Sequence, residues 1–172
     1  MTTAPKGAVD MFLAVKGAAR GKIAGESQDG GKHKGEMEIL GWSWGMQART
    51  AAGGGTAMVG RAVIRELKVL KKVDSASTAL MGALRTNEPI KEAILSVRKF
   101  GSSALDYFVI KLEDARVASI DLEVNPKGDS ADPFERVSFT FNRIEVTYVP
   151  QGSDGKSRGS MVFIDEFHSA NE

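Results

Sequence analysis

Gly35-Glu36-Met37-Glu38-Ile39-Leu40-Gly41-Trp42-Ser43-Trp44-Gly45-Met46 gathers both tryptophans of a 172-residue chain into one segment with period-two spacing. In a strand, successive side chains leave on opposite faces, so Leu40, Trp42, Trp44 and Met46 share one face and Gly41, Ser43 and Gly45 the other. The first face is bulky and apolar. The second is small, uncharged and nearly bare, suited to close approach by a neighbouring backbone or to a smooth surface. Large aromatic area favours burial, so Trp42 and Trp44 are expected in the core, with Ser43 turned away from it. Between Met37/Ile39 and Leu40/Trp42 the apolar phase changes, which predicts a bulge or twist there.

Outward from this segment the pattern is that of an all-β domain. Glycine numbers 19, above the usual share of about 7%, and it separates short runs whose apolar residues alternate. Val9, Met11, Leu13 and Val15 mark a first strand, and Gly17 to Lys34 reads as a polar excursion. Ala48 to Gly60 is a glycine-rich loop with no apolar anchor beyond Met58. Residues 61–73 fit a helix through Val63, Leu67 and Leu70, or a strand through Val63, Leu67, Val69 and Val73 interrupted by Arg65 and Lys71. Asp74 or Ser75 can cap a helix that runs to about Thr86, burying Ala76, Leu80, Ala83 and Leu84, with Pro89 blocking continuation.

Ile90 to Phe100 reads as a strand. Phe108, Ile110, Leu112, Ala118, Ile120, Leu122 and Val124 share one parity along a ribbon broken at Asp114 and Arg116. After a turn-rich loop from Pro126 to Pro133, Val137, Phe139 and Phe141 give way to Ile144, Val146 and Tyr148, which predicts a second bulge near Asn142 and Arg143. Residues 1–150 are expected to form the domain. Residues 151–172 are expected to be a tail in which Met161-Val162-Phe163-Ile164 is an edge strand docking on the domain or on another subunit.

Composition narrows function by exclusion. Twenty-three Lys and Arg against 22 Asp and Glu leave a net charge of +1, which supplies no field for gripping nucleic acid or an anionic membrane. The chain has no cysteine, so thiolate chemistry and disulfides are absent. The N-terminal Met1 to Gly7 lacks a basic region followed by an apolar run, so neither a Sec signal peptide nor a membrane span is expected.

The search for catalytic groups is nearly empty. With only His33 and His168, the usual zinc ligand sets cannot be assembled. His33, between Lys32 and Lys34, reads as a solvated surface residue, and His168 as part of a tail. Glu36 and Glu38 read as a solvated row on one strand face. Gly53-Gly54-Gly55 lacks the lysine and hydroxyl residue of a phosphate-cradling loop. No catalytic, cofactor-binding or metal residue is nominated, and no cofactor is expected.

Gly25-Glu26-Ser27-Gln28-Asp29, His33-Lys34-Gly35-Glu36 and Trp42-Ser43-Trp44-Gly45-Met46 resemble the opening of the haemolysin-coregulated protein (Hcp) family. The similarity continues through Val9 to Leu13, Gly53-Gly54-Gly55, Val97-Arg98-Lys99, Tyr107 to Glu113 and Glu135 to Pro150, and weakens beyond Gln151. The resemblance decides residues 61–73 for strand. It implies a compact antiparallel β-barrel of two packed sheets with one flanking α-helix and an extended glycine-rich loop. It also implies a structural, non-enzymatic tube subunit of a bacterial type VI secretion system, forming homohexameric rings that stack into a hollow tube.

In that setting the partners would be other copies of the chain, a contractile sheath, a tip spike and effector proteins carried in the lumen. The protein would assemble in the bacterial cytoplasm and then be secreted. Ser43 would line the pore and contact effectors, and the loop Ala51, Ala52, Gly53, Gly54, Gly55 and Thr56 would reach a neighbouring subunit. A phage-like tail-tube protein and a small-molecule-binding β-barrel are the competing readings.

Overall fold

The computed structural model describes residues 9–56, 60–99, 105–124, 131–152 and 157–167. The expectations for Met1 to Gly7, Met58, Phe100, Pro126 to Asp129 and His168 lie outside the described residues. The elements in chain order are β1 (Val9–Gly17), β2 (Gly21–Ile23), β3 (Met37–Glu38), β4 (Gly41–Ser43), β5 (Met46–Gln47), β6 (Val63–Ile64), β7 (Leu67–Lys72), α1 (Ser77–Arg85), β8 (Ile90–Lys99), β9 (Asp106–Glu123), β10 (Phe134–Tyr148) and β11 (Met161–Glu166). The chain is thus mainly β and antiparallel, with one helix among the described residues, as expected.

Nine strands form one sheet in the order β2-β1-β8-β9-β10-β7-β4, with β3 added to β1 and β11 to β10; β5 and β6 form a separate hairpin. Strand pairing alone does not close this sheet into a barrel; its two ends are linked through the tryptophan segment. Phe12 and Leu13 of β1 pair with Glu38 and Met37, whereas Gly41, Trp42 and Ser43 pair with Leu70, Val69 and Lys68 of β7. The Ile39 N–H donates to the Met11 carbonyl at 2.9 Å and the next N–H, of Leu40, to the Leu70 carbonyl at 2.8 Å. At Ile39–Leu40 the segment therefore bonds β1 through one N–H and β7 through the next, so the two ends of the sheet meet on one run of chain. The foreseen phase change is present, with Met37 and Ile39 buried on one parity and Trp42 and Trp44 half-buried on the other.

The core is built by the inward faces of these strands, with Leu13, Met37, Leu67, Leu95, Ile110, Leu112, Phe139 and Ile144 fully buried. Burial of each such side chain contributes about 1.5–3 kcal/mol. Within residues 61–73 the chain is strand at Val63–Ile64 and Leu67–Lys72 and not helix, as the family resemblance indicated. In β9 the expected single parity fails at mid-length. Ala115 and Val117 are buried while Ala118 is exposed. Two irregularities invert the phase between them: Asp114 stands at φ 47° opposite Asn142, and Ala118 is the extra residue where Ser138 and Phe139 pair with Ser119 and Val117. β10 changes parity between Phe139 and Ile144, which both face the core, but the bulge expected near Asn142 and Arg143 is absent there: the pairing with β9 keeps one register from Phe139 to Tyr148, and the shift lies between Ser138 and Phe139.

α1 covers the sheet through Leu80 and Ala83. Its start departs from expectation: Ala76 is the capping position and no side chain caps it. The Asp74 carboxylate instead accepts the Ala76 N–H at 3.0 Å while holding the Lys71 ammonium at 2.8 Å. At the other end, Asn87 turns to φ 53° and the Glu88 N–H donates to the Ala83 carbonyl at 2.9 Å, one residue ahead of Pro89. That left-handed turn satisfies the last helical carbonyls.

Candidate functional site

Trp42 and Trp44 are half-buried and pack against the core cluster, and Trp42 stacks on Phe108 with ring centroids 5.5 Å apart. The indole Nε1 of Trp44 is buried without a hydrogen-bond partner. Leu40 and Met46, placed on the same face by alternation, are exposed. Ser43 is exposed.

Strand register extends the Ser43 position into a row. Ser43 stands opposite Lys68, Lys68 opposite Ser138, and Ser138 opposite Ser119. The hydroxyls of Ser119 and Ser138 lie 2.6 Å apart. A parallel row, Gly41, Leu70, Arg136 and Asp121, runs beside it by the same pairings. Together they floor an open depression of about 370 Å³, and a second of about 530 Å³ opens on the far side of Ser43 along Trp44, Gly45, Ile64 and Arg65. Hydroxyls, a lysine and small residues make this a broad, polar sheet face. Sequence reasoning singled out Ser43 but missed Lys68, Ser119 and Ser138, since only register shows that they share its row.

The glycine-rich loop extends from the β5–β6 hairpin. Ala52 to Thr56 are exposed, and Gly53, Gly54 and Gly55 take φ 109°, 86° and 114°, with nothing within 4 Å of where a side chain would be.

Two buried polar clusters were not foreseen, and one overturns a reading. His33 is buried, not solvated: its ring stacks on Phe12 at 4.5 Å, Nδ1 lies 2.7 Å from Glu36 and Nε2 lies 2.8 Å from Asp106. Lys32 reaches the other Asp106 oxygen at 2.7 Å, and Arg98 lies over the Phe12 ring while binding Asp29 at 2.7 Å. Hydrogen bonds from Arg98 and from the His33 backbone hold the Asp29 carboxyl at about 2, below its ordinary 3.8. Glu36 is therefore a ligand of this cluster and not part of a solvated row. The second cluster lies under α1, where Lys71 and Glu135 are paired with no solvent exposure and Ser77 donates to Glu135 at 2.8 Å. Both clusters pin loops to the sheet. Among the described residues no group of three or more His, Cys, Asp or Glu could hold a metal, and no helix is long and apolar enough to cross a membrane.

Comparison with known proteins bears on the family. A family model described as type VI secretion system effector, Hcp, matches residues 12–148. Protein hcp1 of Pseudomonas aeruginosa is 32% identical over 157 residues, covering 90% of this chain and 92% of that protein. A solved structure titled as a type six secretion system protein superposes with a TM-score of 0.77 at 28% identity, covering 90% of this chain and 92% of that one. Hcp1 from Salmonella typhimurium gives 0.70 at 28% identity, over 93% and 95% of the two chains.

Proposed function

The chain belongs to the Hcp family of type VI secretion proteins, and from that premise we propose that it is a structural tube subunit. Six copies close into a ring, rings stack into a hollow tube, and a contractile sheath drives that tube, tipped by a spike protein, out of the cell. The family match across residues 12–148 carries this reading. The exposed row of Ser43, Lys68, Ser138 and Ser119 supports it, as a face made for contact and not for chemistry.

In this mechanism the protein acts through geometry. A heterologous interface whose rotation closes makes a small subunit enclose a pore. The Ser43 row forms part of the pore wall and touches effector cargo, and the loop from Ala51 to Thr56 reaches an adjacent subunit or ring. No active site is required. Loops of about 12 residues or more without structure of their own are usually functional or disordered, which favours an assembly role for this one. Negative-stain images of the purified protein test the reading: sixfold rings with a central hole are expected, and a field of compact particles with no hole would remove it.

A further inference from the structure

Residues 24–36 join β2 to β3 as a strap tied to β1, β8 and β9, and at its centre stands a histidine with an acceptor on each ring nitrogen. His33 is 1% exposed. Its Nδ1 lies 2.7 Å from a Glu36 oxygen and its Nε2 2.8 Å from an Asp106 oxygen. An ionised carboxylate only accepts, so each contact needs an N–H on the ring, whereas neutral imidazole carries one. The imidazolium makes both. A neutral ring would turn a bare lone pair on one of the two carboxylates inside a buried cluster, losing that bond and leaving its oxygen unsatisfied.

The surrounding charges favour the same state. Asp106 also binds Lys32 at 2.7 Å, and Arg98 of β8 binds Asp29 of the strap at 2.7 Å and Asp10 of β1 at 3.4 Å. With the ring neutral, Glu36, Asp106, Asp29 and Asp10 face only Lys32 and Arg98; with it charged they face a third cation. Asp29, its carboxyl held at about 2, stays ionised throughout the neutral range. Ser75 anchors the start of the strap through the Ala24 carbonyl and Glu26. From Ser27 onward its backbone bonds run within the strap, and its ties to the sheet are side chains: His33 and Lys32 on Asp106, Asp29 on Arg98, and the His33 ring stacked on Phe12.

We propose that His33 stands in the fold as an imidazolium and that residues 27–36 are a proton-coupled strap, released from Asp106 and Phe12 when the ring gives up its second proton. Docking that takes up a proton is favoured on the acid side and weakens as pH rises. For one proton, the docked-to-released ratio falls by up to about tenfold for each pH unit above about 6.5, where a solvated histidine in the released strap has lost its charge. Release uncovers the Phe12 ring and frees the chain just ahead of β3, where Met37 and Glu38 pair with Leu13 and Phe12. The device is independent of how copies of the chain assemble.

Hydrogen exchange of the intact chain, read by mass spectrometry from about pH 6 to 9 and corrected for the intrinsic rise of exchange with pH, tests the strap in a window above ordinary carboxylate titration. Histidine is the side chain that ordinarily titrates nearest that window, and the chain has two histidines and no cysteine. A His168→Asn background therefore assigns any effect to His33. Opening of the peptide spanning residues 27–36 should grow about tenfold or more between pH 6.5 and 9, while a β8 peptide containing Leu95 stays within about twofold. A strap with no slope overturns the proposal, and so does a strap that rises only together with β8. Glu36→Gln offers an amide donor to the bare Nδ1, so a neutral ring keeps both contacts and the slope should shrink to within about twofold over the same range. A slope as steep as the parent's would overturn the assignment to that contact. His33→Gln has no proton to give up and should leave the strap more open at every pH with no slope; a retained slope places the titrating group elsewhere and overturns the proposal. Should either variant fail to fold, the parent's own profile decides.

Discussion

Replacing Lys71 by methionine keeps most of the side-chain volume and removes only the ammonium, so the loss it causes measures the buried charge cluster. Lys71 is fully buried, and its Nζ bonds to Glu135, to Asp74 at 2.8 Å and to the Lys72 carbonyl at 3.0 Å. Without it, Glu135 keeps the Ser77 hydroxyl at 2.8 Å as partner of one oxygen, while its other oxygen is already unpartnered. A buried charge stripped of its counter-ion costs about 3–5 kcal/mol. For a domain of this size that corresponds to a fall in Tm of roughly 6–20 °C. Denaturant unfolding at fixed subunit concentration reads the effect, because any assembly adds to apparent stability. The double variant Lys71→Met/Glu135→Leu should recover most of the loss, since replacing both charges by apolar groups removes the desolvation penalty as well. A single-variant loss below about 1 kcal/mol, the range of exposed pairs, would refute the reasoning, as would a double variant no more stable than the single.

Gly25→Ala should cost roughly 2–4 kcal/mol by chemical denaturation, because a Cβ there would sit 2.5 Å from the Glu36 carbonyl oxygen and break the hydrogen bonds joining Gly25, Ser27 and Gly35; an unchanged midpoint would contradict the close approach. Asp29 has its folded-state carboxyl depressed to about 2 from 3.8, so its contribution is present above about pH 4 and disappears as pH falls toward 2. Asp29→Asn should therefore be less stable than the parent at about pH 6 and converge with it near pH 2, and parallel stability profiles would contradict this. Ser43→Gln adds bulk without charge and should leave rings assembled but reduce co-purified effector. Undiminished effector binding counts against the pore-wall placement, and loss of rings would move Ser43 to a subunit interface.

The legible parts of the fold were those decided locally. The phase change at Ile39–Leu40 was visible because the apolar residues switch parity in the sequence itself, Met37 and Ile39 on one and Trp42 and Trp44 on the other. The end of α1 was visible because Pro89 cannot continue a helix. What stayed hidden depends on residues far apart in the chain. His33 looks solvated between two lysines, yet Asp106, 73 residues away, and the Phe12 ring bury it. Lys71 looks like an interruption in a strand until Glu135, 64 residues away, is opposite. Ala118 carries the parity of the β9 core but sits in a bulge that register alone reveals. At the candidate site, Ser43 was legible from the two tryptophans beside it, whereas Lys68, Ser138 and Ser119 join its row only through pairing among four strands.

The central claim is that this chain works as a closed ring and not as a free domain. Light scattering after size exclusion, at micromolar concentration and physiological salt, tests it most directly. The account predicts a dominant species with six times the mass of one chain. A single peak at the mass of one chain, unchanged on concentration, would contradict it.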